Sequence, residues 1–335
     1  MNAKLEDFMY YRVIFILFTG LLSGISQAAP QELYQARLPV DTRSETERKH
    51  HFTQAFTQVL RKLSGQQQQT PQVQTIEPFI NEFYYETQAE QRWLVVHFDP
   101  DSIQQWAQQQ GLSLWSTSRP TVLVWIVLDS AQPTLLNEEQ HPQAVALLKN
   151  QAQQRGISIL LPLVTLEELT LLSQLKTLRQ PTEHVKNQIQ ERYGLKTILI
   201  AQLTSKAHWF LWLDDTHQQW QQSQQSLQQH LIQGLNTAVD HLAQHFAALT
   251  TKPLASVTIK VVGIPNLKTY AQVSKYLRNL DIITELELLS MHPEAIQFQL
   301  TVQGGVPALR QALSFEDRLL PVSQTNPEMI YRWLP

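Results

Sequence analysis

The sequence contains no cysteine. That removes disulfides, thiolate metal sites, cysteine nucleophiles and a lipid-anchored amino terminus, which needs a cysteine at the cleavage point. Charge is also scarce. Asp, Glu, Lys and Arg make up 16% of the 335 residues, and glutamine fills the polar faces in their place. The formal net charge is -3, with both signs mixed. Neither a nucleic-acid footprint nor a polybasic membrane patch is present, so no nucleic-acid partner is expected. The G-x-S-x-G elbow, the P-loop and the G-x-G-x-x-G fingerprint are missing too. No cofactor is expected, and no catalytic residue is named.

What is present is apolar substance. Hydrophobic residues make up 43% of a chain long enough for two or three domains. The one long apolar run is Val13 to Ile25, preceded by Arg12 and followed by Ser26-Gln27-Ala28. It is too short to span a bilayer comfortably, which takes ~20 residues. Small residues at -3 and -1 predict a cleaved secretory signal over residues 1–28, cut after Ala28, and hence a periplasmic protein with no membrane span after cleavage. Glu6 and Asp7 are out of place in a segment that should be basic, and a start at Met9 would remove them. Cleavage takes away Lys4, Arg12, Glu6 and Asp7 together, so the net charge stays at -3.

The periodicities predict an α/β (α+β) chain of three units. Residues 29–118 read as β-α-β-β-α. Ser44 and Glu47 form a capping box, Phe52, Phe56, Val59 and Leu63 make a helical stripe, and Gly65 ends that helix. Asp99-Pro100 opens a second helix. Residues 119–250 read as a mixed-sheet unit. TVLVWIVL is a near-continuous apolar run, as expected of a strand covered on both faces. TILIAQL and HWFLWL follow, then a polar strand around Trp220. A long helix closes the unit, with Leu227, Leu231, Leu235, Val239, Leu242 and Phe246 on one face. Residues 251–316 repeat the β-α-β-β-α order, with Asn266 as a cap and alternation from Ile296 to Val302. Residues 317–335 read as a tail that packs through Tyr331 and Trp333 or frays.

Three segments carry a family resemblance. They are LYQARLPVDTRSETERKHHFTQAFTQVLRKLSG, PTVLVWIVLD and the run from VVGIPNLKTY to VPALRQAL. Together they resemble a proteobacterial family known as domain of unknown function 2066, which supplies no catalytic residues. ERYGLKTILIAQL, HWFLWLDDTHQQW and the long helix resemble the amino-terminal domain of TolB, with Gly194 and Asp214 in matching places. The whole arrangement is similar to the flagellar H-ring protein FlgT. These likenesses imply an envelope component that binds others without catalysis, and fold analogy alone does not fix a function.

The polar constellations mostly have plain explanations. His241-x-x-x-His245, with His230 earlier on the same helix, has metal-pair spacing but no HExxH glutamate and no third ligand, so solvated histidines are expected. His50-His51 cannot share one helix face. Ser173-x-x-Lys176 lacks its K-T-G companion. Gly304-Gly305 reads as a helix-initiating turn, and Asp214-Asp215 as a hairpin turn. Asp129 ends a buried strand, a position where α/β sheets often form sites, although a cap role explains it equally simply. Trp220, set among glutamines, is the tryptophan best placed for exposure and so the interface candidate. The expected function is a non-enzymatic binding or assembly factor of the Gram-negative envelope, with an envelope protein as partner. A small-ligand or polysaccharide binder and a hydrolase with scattered residues are the alternatives. An assembly factor should expose an apolar patch near Trp220 or the edge strands. A ligand binder should hold a deep polar pocket. A hydrolase should show a perturbed carboxylate or histidine in such a pocket.

Overall fold

The computed structural model describes residues 30–334 apart from 67–72, 74, 116, 129–132, 178–181, 214–215, 251–252, 293–294, 316–317 and 324–328. Asp129, Asp214 and Asp215 lie outside the described residues, as does the apolar run from Val13 to Ile25. Helices and strands alternate around three sheets of mixed strand direction, an α/β (α+β) architecture.

The first sheet has the order β1-β3-β2, from β1 (Gln35–Pro39), β2 (Ile80–Gln88) and β3 (Gln91–Phe98). A helical turn, α1 (Pro30–Leu33), precedes it. Helix α2 (Glu45–Ser64) starts where the Ser44 side chain accepts the Glu47 N–H, and it ends at Gly65, whose φ is 66°. The stripe Phe52, Phe56, Val59, Leu60 and Leu63 packs on Leu94, Val96 and Phe98 of β3. Helix α3 (Pro100–Gln109) is capped by Asp99 as the sequence indicates, and it adds Ile103 to the same core.

The second sheet runs β5-β4-β7-β8-β9, with β6 (Ser158–Leu160) also on β4. The strands are β4 (Thr121–Leu128), β5 (Thr134–Leu135), β7 (Thr197–Leu203), β8 (Ala207–Leu213) and β9 (Thr216–Gln222). Strand β4 is apolar throughout because both its faces are covered. Val122, Val124 and Ile126 meet α4 (Pro142–Gln154) and α7 (Leu227–Thr250). Leu123, Trp125 and Val127 meet α5 (Leu166–Thr177) and α6 (Glu183–Tyr193). One seat on α7 is special. A Cβ added at Gly234 would stand within 2.5 Å of three atoms of the Trp209 indole, so the missing side chain is what lets β8 carry a tryptophan there.

The third sheet runs β11-β12-β10-β14-β13. Strand β10 (Leu254–Val262) pairs antiparallel with β12 (Ala295–Gln303), which pairs with β11 (Ile283–His292). Helices α8 (Leu267–Arg278) and α9 (Gly305–Ser314) cover one face. The tail packs. Strands β13 (Leu319–Ser323) and β14 (Met329–Trp333) extend this sheet, β14 running parallel to β10, with Tyr331 and Trp333 in the core. Pro321 stands on the edge strand, where a missing N–H disrupts no ladder.

Candidate functional site

Two places carry unusual chemistry, and the first is the joint between the sheets. Helix α2 ends at Gly65 and helix α4 ends at Gly156, and both ends abut α7 or the cations beside it. A Cβ at Gly65 would collide with Ala243 of α7. Arg155, 3% exposed, donates to Gly65 O at 2.7 Å, to Asn236 Oδ1 at 2.8 Å and to Asp240 Oδ1 at 2.6 Å. Arg119 donates to Gly156 O at 2.9 Å and lies over the Trp115 ring. Burial pulls the Arg119 guanidinium down to about 9, so it remains a cation at neutral pH. Lys62, 7% exposed, donates to Glu32 O at 3.2 Å and Gln35 O at 2.7 Å. Burial pulls its ammonium down to about 8. Asp281, from the turn after α8, accepts the Thr117 N–H at 2.7 Å and brings the third sheet to the same joint. A cleft of about 280 Å³ opens beside it, lined by Glu32 and Lys62 on one wall and by Lys149, Gln153, Gly156 and Ser158 on the other. A second hollow, between Thr121, Phe246 and Phe315, holds only about 60 Å³.

The second place is the β11 side of the third sheet. Leu288 and Met291 lie opposite Phe298 and Ile296, so they belong to the apolar face. Yet Leu288, Leu289 and Met291 are exposed, Met291 at 53%. Leu289 is the extra residue of a bulge between Leu288 and Ser290. Leu267 opens α8 at the same end of the sheet and is 75% exposed. An apolar rim on an edge strand is the pattern of a contact surface rather than of a core. A further exposed apolar group, Leu163, Val164, Leu166 and Leu169, sits where β6 leads into α5.

Among the described residues singled out in the sequence, Trp220 and His241 meet, and no group of metal-ligating type forms. Trp220 is half-buried on the edge strand β9. It stacks on Trp209 with rings 6.0 Å apart and 2° from parallel, and His241 of α7 leans on it at 5.3 Å. The tryptophan best placed for exposure is thus half-buried, its cross-strand partner and the helix each covering part of its surface. His245 lies against Phe246. His230 is buried, its Nδ1 at 2.9 Å from Gln222 Oε1, which also accepts the Trp209 Nε1–H at 3.2 Å. That oxygen can only accept, so Nδ1 carries the proton, and burial holds the ring below its ordinary pKa. Among the described residues no group of three His, Asp or Glu stands where it would hold a metal ion. Ser173 and Lys176 lie on α5. Gly304-Gly305 does initiate a helix, both at positive φ.

Sequence reasoning missed the buried cations and one buried carboxylate. Glu168 accepts from Tyr193 at 2.6 Å, from the Thr165 N–H at 3.1 Å, and from Arg192 and the Thr165 hydroxyl. Burial alone would raise its pKa, but the bonds from Thr165 and Tyr193 outweigh that and hold it low. Every partner is satisfied, so Glu168 latches α5 to α6. The ERY triplet before Gly194 is the sole local hint of it.

A family model described as a domain of unknown function (DUF8605) matches residues 28–116. The match spans β1 to α3, the first sheet and its helices. The chain thus carries an uncharacterised domain at this end. No curated protein matches the chain. Among the described residues no helix is long and apolar enough to cross a membrane.

Proposed function

We propose that this protein is a non-enzymatic binding or assembly factor of the Gram-negative envelope, exported to the periplasm by residues 1–28, and that it engages a protein partner along the β11 rim. The observation that carries the proposal is the exposure of Leu267, Leu288, Leu289 and Met291 together at one open edge of a sheet. Edge strands in soluble proteins are normally blunted by charge, proline or cover. Strand β13 has its proline; β11 has bulges and carries Glu285 and Glu287 in its first half, but its second half presents leucines and a methionine. Met and Leu on an open rim suit a partner with its own apolar face.

The hydrolase alternative finds less support. The larger cleft is lined by Lys62, Lys149 and Glu32, and among its described lining residues there is no histidine and no second carboxylate. The proposed likeness of the central unit to the TolB amino-terminal domain is supported by the β7–β8 hairpin crossed by the long helix α7. The relation to domain of unknown function 2066 stays part of the proposal, resting on the segments quoted above.

The test is crosslinking in intact cells with the tagged protein and with a Leu288→Glu/Met291→Glu variant. One envelope partner captured by the wild type and lost by the folded variant is the expected result. Equal capture by both would remove the rim from the function. Recovery of the protein in the cytoplasm with residues 1–28 attached would overturn the envelope reading.

A further inference from the structure

The Lys62 cleft remains to be explained. An ammonium carries three N–H groups. Two of those on Lys62 donate to Glu32 O and Gln35 O. Among the described residues the third has no acceptor, and no carboxylate lies within ion-pair distance of the charge, although Glu32 acts on it through space. Taking an ammonium out of water has an effective penalty of several kcal/mol, which carbonyl dipoles offset only in part. Lys62 nevertheless lines a cleft of about 280 Å³ rather than a sealed core. Lys149 faces it from α4, and the Arg119 guanidinium lies under the floor. A Cβ on Gly156 would come within 2.7 Å of Arg119 Nη1. Against these cations stand Glu32 at the rim and Glu138, which pairs with Lys149 at 2.7 Å. Lys149 and Arg119 each have a carboxylate near them, Glu138 and Asp281, and Lys62 is the cation left with an N–H to offer.

We infer that this cleft is a binding site for a small oxyanion, a carboxylate or a phosphate group, seated between the first sheet's helices and α4. The anion would take the third Lys62 N–H and supply a counter-charge in direct contact, which Glu32 does not. Gln153 offers a neutral hydrogen bond on the facing wall. The volume admits a molecule the size of a phosphomonoester or a short dicarboxylic acid. The site is separate from the β11 rim, and either inference stands without the other.

The experiment is calorimetric titration of the purified protein at pH 7 and low ionic strength with inorganic phosphate and with succinate, against chloride at matched ionic strength. Lys62→Met and Gln153→Glu are titrated beside the wild type. Gln153 is exposed, so its variant leaves the fold alone and places a carboxylate on the cleft wall. Saturable one-to-one binding is expected for at least one anion, weakened about tenfold or more by either variant. The preferred anion then names the chemical class. Absence of saturable binding over chloride up to about 10 mM overturns the inference. Unchanged binding by Gln153→Glu, or by a folded Lys62→Met, overturns it as well.

Discussion

Replacing Gly234 by alanine should destabilise the protein, although helix propensity alone argues the other way. Glycine in a helix interior is about 1 kcal/mol worse than alanine. A neutral seat would therefore reward the change. The Gly234 seat is filled by Trp209. The new methyl carbon would stand within 2.5 Å of Cζ2, Cε2 and Cη2 of that ring. The ring has little room to leave. It is fully buried, it stacks on Trp220, and its Nε1–H is held by Gln222. Overpacking a core costs about 1–3 kcal/mol, and a ring pinned on several sides belongs at the upper end. Subtracting the propensity gain leaves a net loss of about 2 kcal/mol.

Urea denaturation of wild type, Gly234→Ala, Trp209→Phe and the double variant measures this directly. The smaller ring of phenylalanine makes room for the methyl group. The double variant should thus lose less than the sum of the singles, by at least about 1 kcal/mol. A Gly234→Ala protein as stable as the wild type, or strict additivity in the cycle, would refute the packing of α7 on β8 as the cause.

Other substitutions probe the joint, the latch and the rim. Arg155→Met should cost about 2 kcal/mol, since it leaves Gly65 O without its buried donor while Asn236 keeps Gln151. Asp240→Asn should cost no more than about 1 kcal/mol because Asp240 is 42% exposed; equal losses in thermal melts would contradict this. His230 has a folded pKa below its ordinary 6.5, so the unfolded chain takes up the proton first. Stability should then fall as pH drops below about 6.5, and His230→Leu should lack that slope in melts from pH 7.5 to 5. Lys62 is pulled down from 10.5 to about 8. Between those values only the unfolded chain holds the proton, so stability should rise with pH there, and the wild type minus Lys62→Met difference isolates the rise from the tyrosines. Leu288→Glu/Met291→Glu should change stability by less than about 1 kcal/mol, because both residues are already exposed.

Element order, caps and the buried faces of β4 and α7 were readable because they rest on local spacing. Ser44, Asp99 and Asn266 cap as their positions indicate, since a side chain and an N–H three residues on are enough. The joint was not readable. Arg155 and Gly65 are 90 residues apart, and Lys62 reads as one more cation near a helix C-terminus until the first residues of the described chain close over it. Alternation among glutamines says which face Trp220 takes but not its cover, which comes from Trp209 across the strand and His241 on α7. The tail was half-readable. Tyr331 and Trp333 announce burial, but the parallel pairing of β14 with β10 spans about seventy residues and leaves no local mark.

The cations gather at the joint for a reason already present in the helices. Helices α2 and α4 both end there, and each C-terminus exposes carbonyls carrying partial negative charge. Gly65 O and Gly156 O lie just past the last helical residues, Ser64 and Gln154, and they are the acceptors of Arg155 and Arg119. The arginines thus neutralise helix ends where apolar side chains would leave carbonyls unsatisfied. Their planar donors also fix how the two helices meet α7. This bears on the cleft. Arg119 and Arg155 are committed to carbonyls, so what remains for a ligand is one N–H of Lys62, a Lys149 shared with Glu138, and the residual field beneath Gly156. Such a set supports a dissociation constant of about 1 mM. Much tighter binding at the cleft would mean that the joint itself rearranges, and Arg155→Met should then alter affinity as strongly as Lys62→Met does. At about 1 mM, Arg155→Met should leave the affinity of the folded protein nearly unchanged.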